Sequence, residues 1–179
     1  MTLPHKDPDY TQLALQIKEW GKALGFQQIA ITDIDLSDSG QQLNRWLEKG
    51  YQGDMRWMGE HGSKRYHPEQ LLPNTRRVIV VRMDYLPPDD NLVAILKSDD
   101  RAYVSRYALG RDYHKLIRKR LTTLAKEIEK AVPGGVTQRP FVDSAPVMEK
   151  PLAVKAGIGW QGKHTLVINS QAGSWFFLG

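Results

Sequence analysis

The chain of 179 residues contains no cysteine, and that absence rules out disulfides, thiolate zinc sites and iron–sulfur ligation by its own side chains. It contains no apolar run near the roughly 18 to 20 residues a membrane helix needs, and the opening MTLPHKDPDY lacks the apolar stretch of a secretory signal. With those classes removed, a cytoplasmic protein with no membrane partner is expected. Internal repeats and low-complexity segments are also missing, and no composition shift marks a domain boundary. What is present is ordinary globular chemistry, 41% hydrophobic and 25% charged, in a length suited to one domain with a real core. The formal net charge of +5 favours an anionic partner such as nucleic acid or a phosphate-bearing cofactor, although solubility alone accounts for it as well.

Hydrophobic periodicity orders the chain as a mixture of α and β. Asp9 and Gln12 form the pattern of a capping box ahead of Leu13, Ile17, Trp20 and Leu24, and Gly25 supplies a stop. FQQIAIT reads as a strand, and Gln41 to Lys49 as a second helix ended by Gly50. Residues 51–76, rich in glycine and interrupted by Pro68 and Pro73, predict a long ordered loop. RVIVVRMDYL (77–86) predicts a strand buried on both faces, closed by Pro87, Pro88, Asp89 and Asp90. Ile117, Leu121, Leu124 and Ile128 predict a helix over 113–130, which Pro133, Gly134 and Gly135 terminate. A strand ending near Asp143, a helix from Pro146 to Gly157, and strands around TLVIN and SWFFL complete the order. SWFFLG stops without turn or polar tail, as a truncated chain would.

Asp143 is placed where a strand yields to a loop and helix, the position at which open α/β sheets gather ligands. Phe141, Val142 and Pro146 would withhold water from it and raise its pKa; Lys150, Lys155 or Lys163 would lower it. The first case gives a general acid, the second a structural ion pair or helix cap, and the residues leave both open. AGIGWQGKHT combines small residues that admit close ligand approach with cations, but His164 follows Lys163 where a phosphate loop requires Ser or Thr. Helix-cap and turn roles explain Gly157 and Gly159 equally well. Eight basic residues between Lys97 and Arg120, interleaved with Tyr103, Tyr107 and Tyr113, suit a phosphate backbone or the solvated face of a helix. DYHKLI begins like the D-x-H-x-x-G cobalamin motif, but Ile117 replaces its glycine. His114 therefore reads as a helix-start residue satisfying a hydrogen bond, and no protein-bound metal is expected. Trp20 and Trp46 fit helical core stripes, whereas Trp57 and Trp160 fit ligand walls.

LGFQQIAITD, SKRYHPEQLLPNTRRVIVV, YVSRYALGRDYHKLIRKRL, VDSAPVMEKPLAVKAGIGWQGKHTLVI and AGSWFFLG together resemble the epoxyqueuosine reductase family, in order and over nearly the whole chain. The resemblance implies a cytoplasmic oxidoreductase of queuosine biosynthesis that uses cobalamin to reduce epoxyqueuosine in tRNA to queuosine, acting as a monomer with an external electron donor. It implies an α+β cobalamin-binding domain of nitroreductase-like and reductive-dehalogenase-like fold over residues 1–179, cut before a ferredoxin-like region that holds two [4Fe–4S] clusters. By the same resemblance Asp143 is the proton donor to the epoxide oxygen. Cobalamin contacts fall on Arg65, Ser105, Asp143, Lys150, Trp160, Lys163, Val167 and Leu178. The competing readings are a flavin-dependent reductase of related fold and a basic RNA-binding module without catalysis.

Overall fold

The computed structural model describes residues 9–87 and 91–179. Helix α1 (Tyr10–Ala23) starts where the Asp9 carboxylate accepts from the backbone N–H groups of Thr11 and Gln12, and ends before Gly25 at φ 86°. Strand β1 (Gln28–Thr32) follows as expected. Helix α2 (Ser37–Glu48) begins four residues earlier than its apolar pattern indicated, because the Asp35 carboxylate takes the N–H and hydroxyl of Ser37 at 3.1 and 2.5 Å. Residues 51–76 form the anticipated loop, with a short helix α3 (Trp57–Glu60) and two turns of 3₁₀ helix within it. The Tyr66 ring presses on Gly40 of α2 so closely that a Cβ there would lie 2.6 Å from it, which docks the loop on α2.

The central strand β2 (Val78–Asp84) pairs antiparallel with β1 on one side and with β5 (Phe176–Leu178) on the other. Its alternation feeds two cores. Val81 and Met83 join Ile29 of β1 beneath α1 and α5 (Tyr113–Ala131), through Ile17, Ile117, Leu121, Leu124 and Ile128. Val80 joins Ala30 on the opposite face, beneath Leu152 and Ala153 of α6 (Glu149–Lys155) and Val167. The strand read as buried on both faces is so buried, and within it Arg82 is only 5% exposed. The closing cluster assigned to it reaches Pro88, Asp89 and Asp90, which lie outside the described residues. Helix α4 (Leu92–Leu96) is an element the sequence reading did not anticipate.

Several expectations fail. The sheet is antiparallel throughout, so Asp143 is not at the carboxyl edge of an open α/β sheet. Nor does a strand precede it: the chain from 132 to 148 is irregular, and Asp143 has φ 53°, which no strand accommodates. Helix α6 also begins at Glu149 rather than Pro146. The strands read at TLVIN and SWFFL belong to different sheets. Strand β4 (Val167–Ile168) pairs with β3 (Trp160–Gln161) as a hairpin, while β5 completes the main sheet. In that hairpin a Cβ on Gly159 would collide with the Ile168 carbonyl, so close backbone approach explains this glycine without a ligand.

Candidate active site

Asp143 lies on the irregular segment between α5 and α6, with its side chain 47% exposed. Val142, fully buried in the α1–α5 core, anchors the segment beside it. Four groups fix the loop. The Tyr113 hydroxyl donates to Asp143 Oδ2 at 2.5 Å, and His114 Nε2 stands 3.2 Å from the same oxygen. The Asp143 N–H donates to Glu149 Oε1 at 3.0 Å, and Arg118 Nη2 donates to Ser144 Oγ at 3.1 Å. A non-glycine residue in the left-handed region is strained, and these partners hold it there.

The first turn of α5 supplies Tyr113 and His114. Asp112 caps that helix by accepting from the His114 N–H, and the same carboxylate oxygen lies 3.0 Å from His114 Nδ1. The imidazole thus stands between two carboxylates, and the nitrogen that carries the proton decides which one receives it. The sequence reading gave His114 only a local hydrogen bond, and the link to Asp143 is additional. Tyr113 stacks on Phe177 at 3.9 Å, so its ring belongs to the core edge while its hydroxyl reaches the acid.

The Asp143 side chain is neither enclosed by its apolar neighbours nor bonded by a lysine. Lys155 bonds Asp33 at 2.8 Å and the Asp35 carbonyl at 2.8 Å, and Lys150 reaches Thr165 Oγ1 at 3.5 Å, while Lys163 is exposed on the β3–β4 turn. Burial acts instead on the neighbouring acid. Desolvation of Glu149, then the Asp143 charge beside it, push its carboxyl up to about 7. Burial and then donation to Asp143 hold the Tyr113 hydroxyl well above its usual value, so that it remains a donor. Glu149 was missed although it lies six residues from Asp143 in the same run, because the residues between them gave no hint that the chain would fold back. Tyr113 was missed as a partner because 30 residues separate it from Asp143.

A cavity of about 760 Å³ opens between α2 and α6. Arg65 and Lys150 line it with apolar groups that include Leu36, Leu43, Trp46 and Met58. Trp46 is therefore a cavity wall and not the core residue its spacing suggested. The Arg65 guanidinium donates to the carbonyls of Met58 and Trp57 at 2.9 and 2.8 Å, which fixes that wall. A second cavity of about 400 Å³ is lined by Tyr113, Tyr107, Arg106 and Arg111. Asp143 lines neither, but its partners do: Glu149 lines the larger and Tyr113 the smaller. The remaining candidates are dispersed. Ser105 is exposed at the start of a 3₁₀ turn, Trp160 is 51% exposed on β3, Val167 turns its side chain into the second core, and Leu178 packs at that core's margin.

Comparison with known proteins gives these features a context. Residues 65–144 match the family described as epoxyqueuosine reductase QueG, DUF1730. The epoxyqueuosine reductase of Pseudomonas aeruginosa is 58% identical over 172 residues, covering 96% of this chain and 47% of that protein. The Escherichia coli enzyme is 56% identical over 171 residues, covering 96% and 45%. The chain therefore spans a little under half the length of these curated relatives. Among solved structures, the epoxyqueuosine reductase from Streptococcus thermophilus superposes with a TM-score of 0.75 at 26% identity, over 92% of this chain and 44% of that one. A Bacillus subtilis epoxyqueuosine reductase, with its aspartate catalytic loop swung out of the active site, shares the fold at TM-score 0.70 and 20% identity, over 95% and 44%. Over nearly all of its own length the chain is similar in sequence to epoxyqueuosine reductases, and it shares the fold of their solved structures.

Proposed function

We propose that this chain is the catalytic and cofactor-binding part of a cobalamin-dependent enzyme that reduces epoxyqueuosine in tRNA to queuosine. The observation that carries the reading is the 58% identity to a curated epoxyqueuosine reductase across 96% of the chain. An epoxyqueuosine reductase of the same fold was solved with an epoxyqueuosine-modified tRNA stem loop, which supports tRNA as the partner. The overall conversion takes two electrons and two protons: both carbon–oxygen bonds of the epoxide break, a carbon–carbon double bond forms, and the oxygen leaves as water. Cobalamin, when bound, supplies the route by which electrons reach the substrate carbon.

The residues of the larger cavity fit a broad, amide-fringed ring. Leu36, Leu43, Trp46 and Met58 offer apolar surface, and Lys150 offers a donor beside it. Arg65 keeps that wall in place through its carbonyl contacts. Asp143 delivers a proton to the epoxide oxygen, and Tyr113 and His114 orient its carboxyl. The exposed Lys115, Arg118 and Lys119 of α5 attract the tRNA backbone next to that loop. Electrons come from an external donor through two [4Fe–4S] clusters, to which this cysteine-free chain gives no thiolate. The protein acts as a cytoplasmic monomer, on a nitroreductase-like fold.

The test is a visible spectrum and a turnover assay on the protein carrying this chain together with its cluster-binding region. Cobalamin bands and conversion of epoxyqueuosine-containing tRNA to queuosine are expected, and Asp143→Asn should keep the bands while lowering kcat by about 100-fold or more. An oxidised-flavin spectrum would replace the reading with a flavin-dependent reductase. A colourless protein with steeply salt-dependent tRNA binding and no turnover would leave an RNA-binding module. Full turnover by D143N would remove Asp143 from the acid role.

A further inference from the structure

Deoxygenation of an epoxide consumes two protons, one as the ring opens and a second as the resulting hydroxyl leaves as water. Asp143 can hold one. Its carboxylate already accepts from the Tyr113 hydroxyl at 2.5 Å and faces His114 at 3.2 Å. The nearest group able to store a proton is on the other side of the same residue. Glu149 Oε1 takes the Asp143 N–H at 3.0 Å, which sets the Glu149 carboxyl against Asp143, and Glu149 also lines the larger cavity.

We propose that Glu149 is a positioning residue that latches the Asp143 loop through its backbone N–H and shares protons with the Asp143 carboxyl, so that the two acids work as one pair. The inference rests on the reduction proposed above and adds to it the source of the second proton. The one proton held by the pair rests on Glu149 and passes to Asp143, which delivers it to the epoxide oxygen; solvent then refills the pair, and the same relay makes Asp143 an acid again when the hydroxyl departs. No electrons move in this transfer, and the pair is refilled from solvent through the half-exposed side of Asp143. Like charges this close do not both ionise readily, which keeps one proton in the pair near neutrality. Glu149 agrees in being pushed up to about 7 by burial and by Asp143. The other groups acting on it are Lys150, which opposes that shift, and Tyr113, with His114 across Asp143. The latch also gives physical content to the loop of the Bacillus subtilis relative, which is found swung out.

The pair can be observed without turnover. Carboxyl carbon-13 NMR of the wild-type protein should show Glu149 titrating near neutral pH, and Asp143→Asn should move that midpoint down by about one pH unit or more. An ordinary glutamate midpoint in wild type, or one that D143N leaves in place, overturns the proposal. Glu149→Gln keeps an oxygen for the Asp143 N–H but cannot carry the proton. It should leave KM for the tRNA near wild type, lower kcat by about 10-fold or more, and abolish the limb of the kcat–pH profile near neutrality. Glu149→Asp should restore part of that limb. Wild-type kcat and an unchanged profile in E149Q reduce Glu149 to scaffolding and sink the idea. Wild-type turnover is measured alongside, so the failures separate: no queuosine from wild type overturns the reduction itself, whereas normal turnover in E149Q overturns only the shared proton.

Discussion

Asp143 was legible as a candidate from its residue type and from the VDSAP motif, but not from its surroundings. Of the lysines weighed against its burial, Lys155 and Lys150 bond elsewhere and Lys163 is exposed on the β3–β4 turn, while burial raises the carboxyl of Glu149. That displacement has a consequence for stability. Because the Glu149 carboxyl is raised from its ordinary 4.5 to about 7, the folded protein binds more protons than the unfolded chain between those two values. Stability should therefore fall as pH rises through that window and level off above it. Glu149→Gln should flatten this limb, recovering on the order of 3 kcal/mol at about pH 8 relative to wild type. Denaturant midpoints of both proteins at about pH 5 and about pH 8 check the sign, and a wild-type protein that gains stability across the interval contradicts it.

Regular elements were readable where local signals agreed, and α5 is the clearest case. Asp112 caps its start, Ile117, Leu121, Leu124 and Ile128 face the core, and Gly134 and Gly135 take positive φ after its end. The stretch after it misled because apolar residues such as Phe141 and Val142 mimic a strand, whereas the backbone at Asp143 turns left-handed to meet Tyr113 and Glu149. The basic run from Lys97 to Arg120 likewise divides once it is wound on a helix. Arg120 turns inward, donating to the Gly25 carbonyl at 3.2 Å and lying over the Phe26 ring, so it is not available to a phosphate. Lys115, Arg118 and Lys119 remain on the outer face, at the i, i+3 and i+4 positions that place side chains together. Changing those three to Gln should weaken tRNA binding and lower the slope of log K against log salt by about 2, as measured by titration at several salt concentrations. An unchanged slope would put the tRNA elsewhere.

At the scale of the molecule, two cores share one three-stranded sheet, and a charged pair sits where its strands meet. Arg82 is buried on the α6 side of β2, with Nε 3.0 Å from Asp84 Oδ1 but out of line for a hydrogen bond, and Nη1 donating to Gln28 Oε1 at 3.2 Å. The sequence offered RVIVVRMDYL as a buried strand without saying how its arginine would be neutralised. Asp84→Ala leaves that guanidinium short of its counter-charge and should cost about 2 kcal/mol, somewhat less than a fully buried pair because Asp84 is one-third exposed. A thermal melt reads the loss, and an unaltered Tm would mean that Gln28 and the Phe176 ring suffice.

The architecture was less legible than its pieces, since the pairing of β2 with β5 and the meeting of Tyr113 with Asp143 join positions far apart in the chain. One of those joints couples chemistry to winding. Asp112 starts α5 and grips the His114 ring with the same oxygen, so the turn that opens the helix is also the mount of the acid's two partners. If that turn frays, Tyr113 and His114 let go together, and the Asp143 loop loses its grip while the rest of the helix stays wound. The local melting of one helical turn is thus a disconnect built into the site.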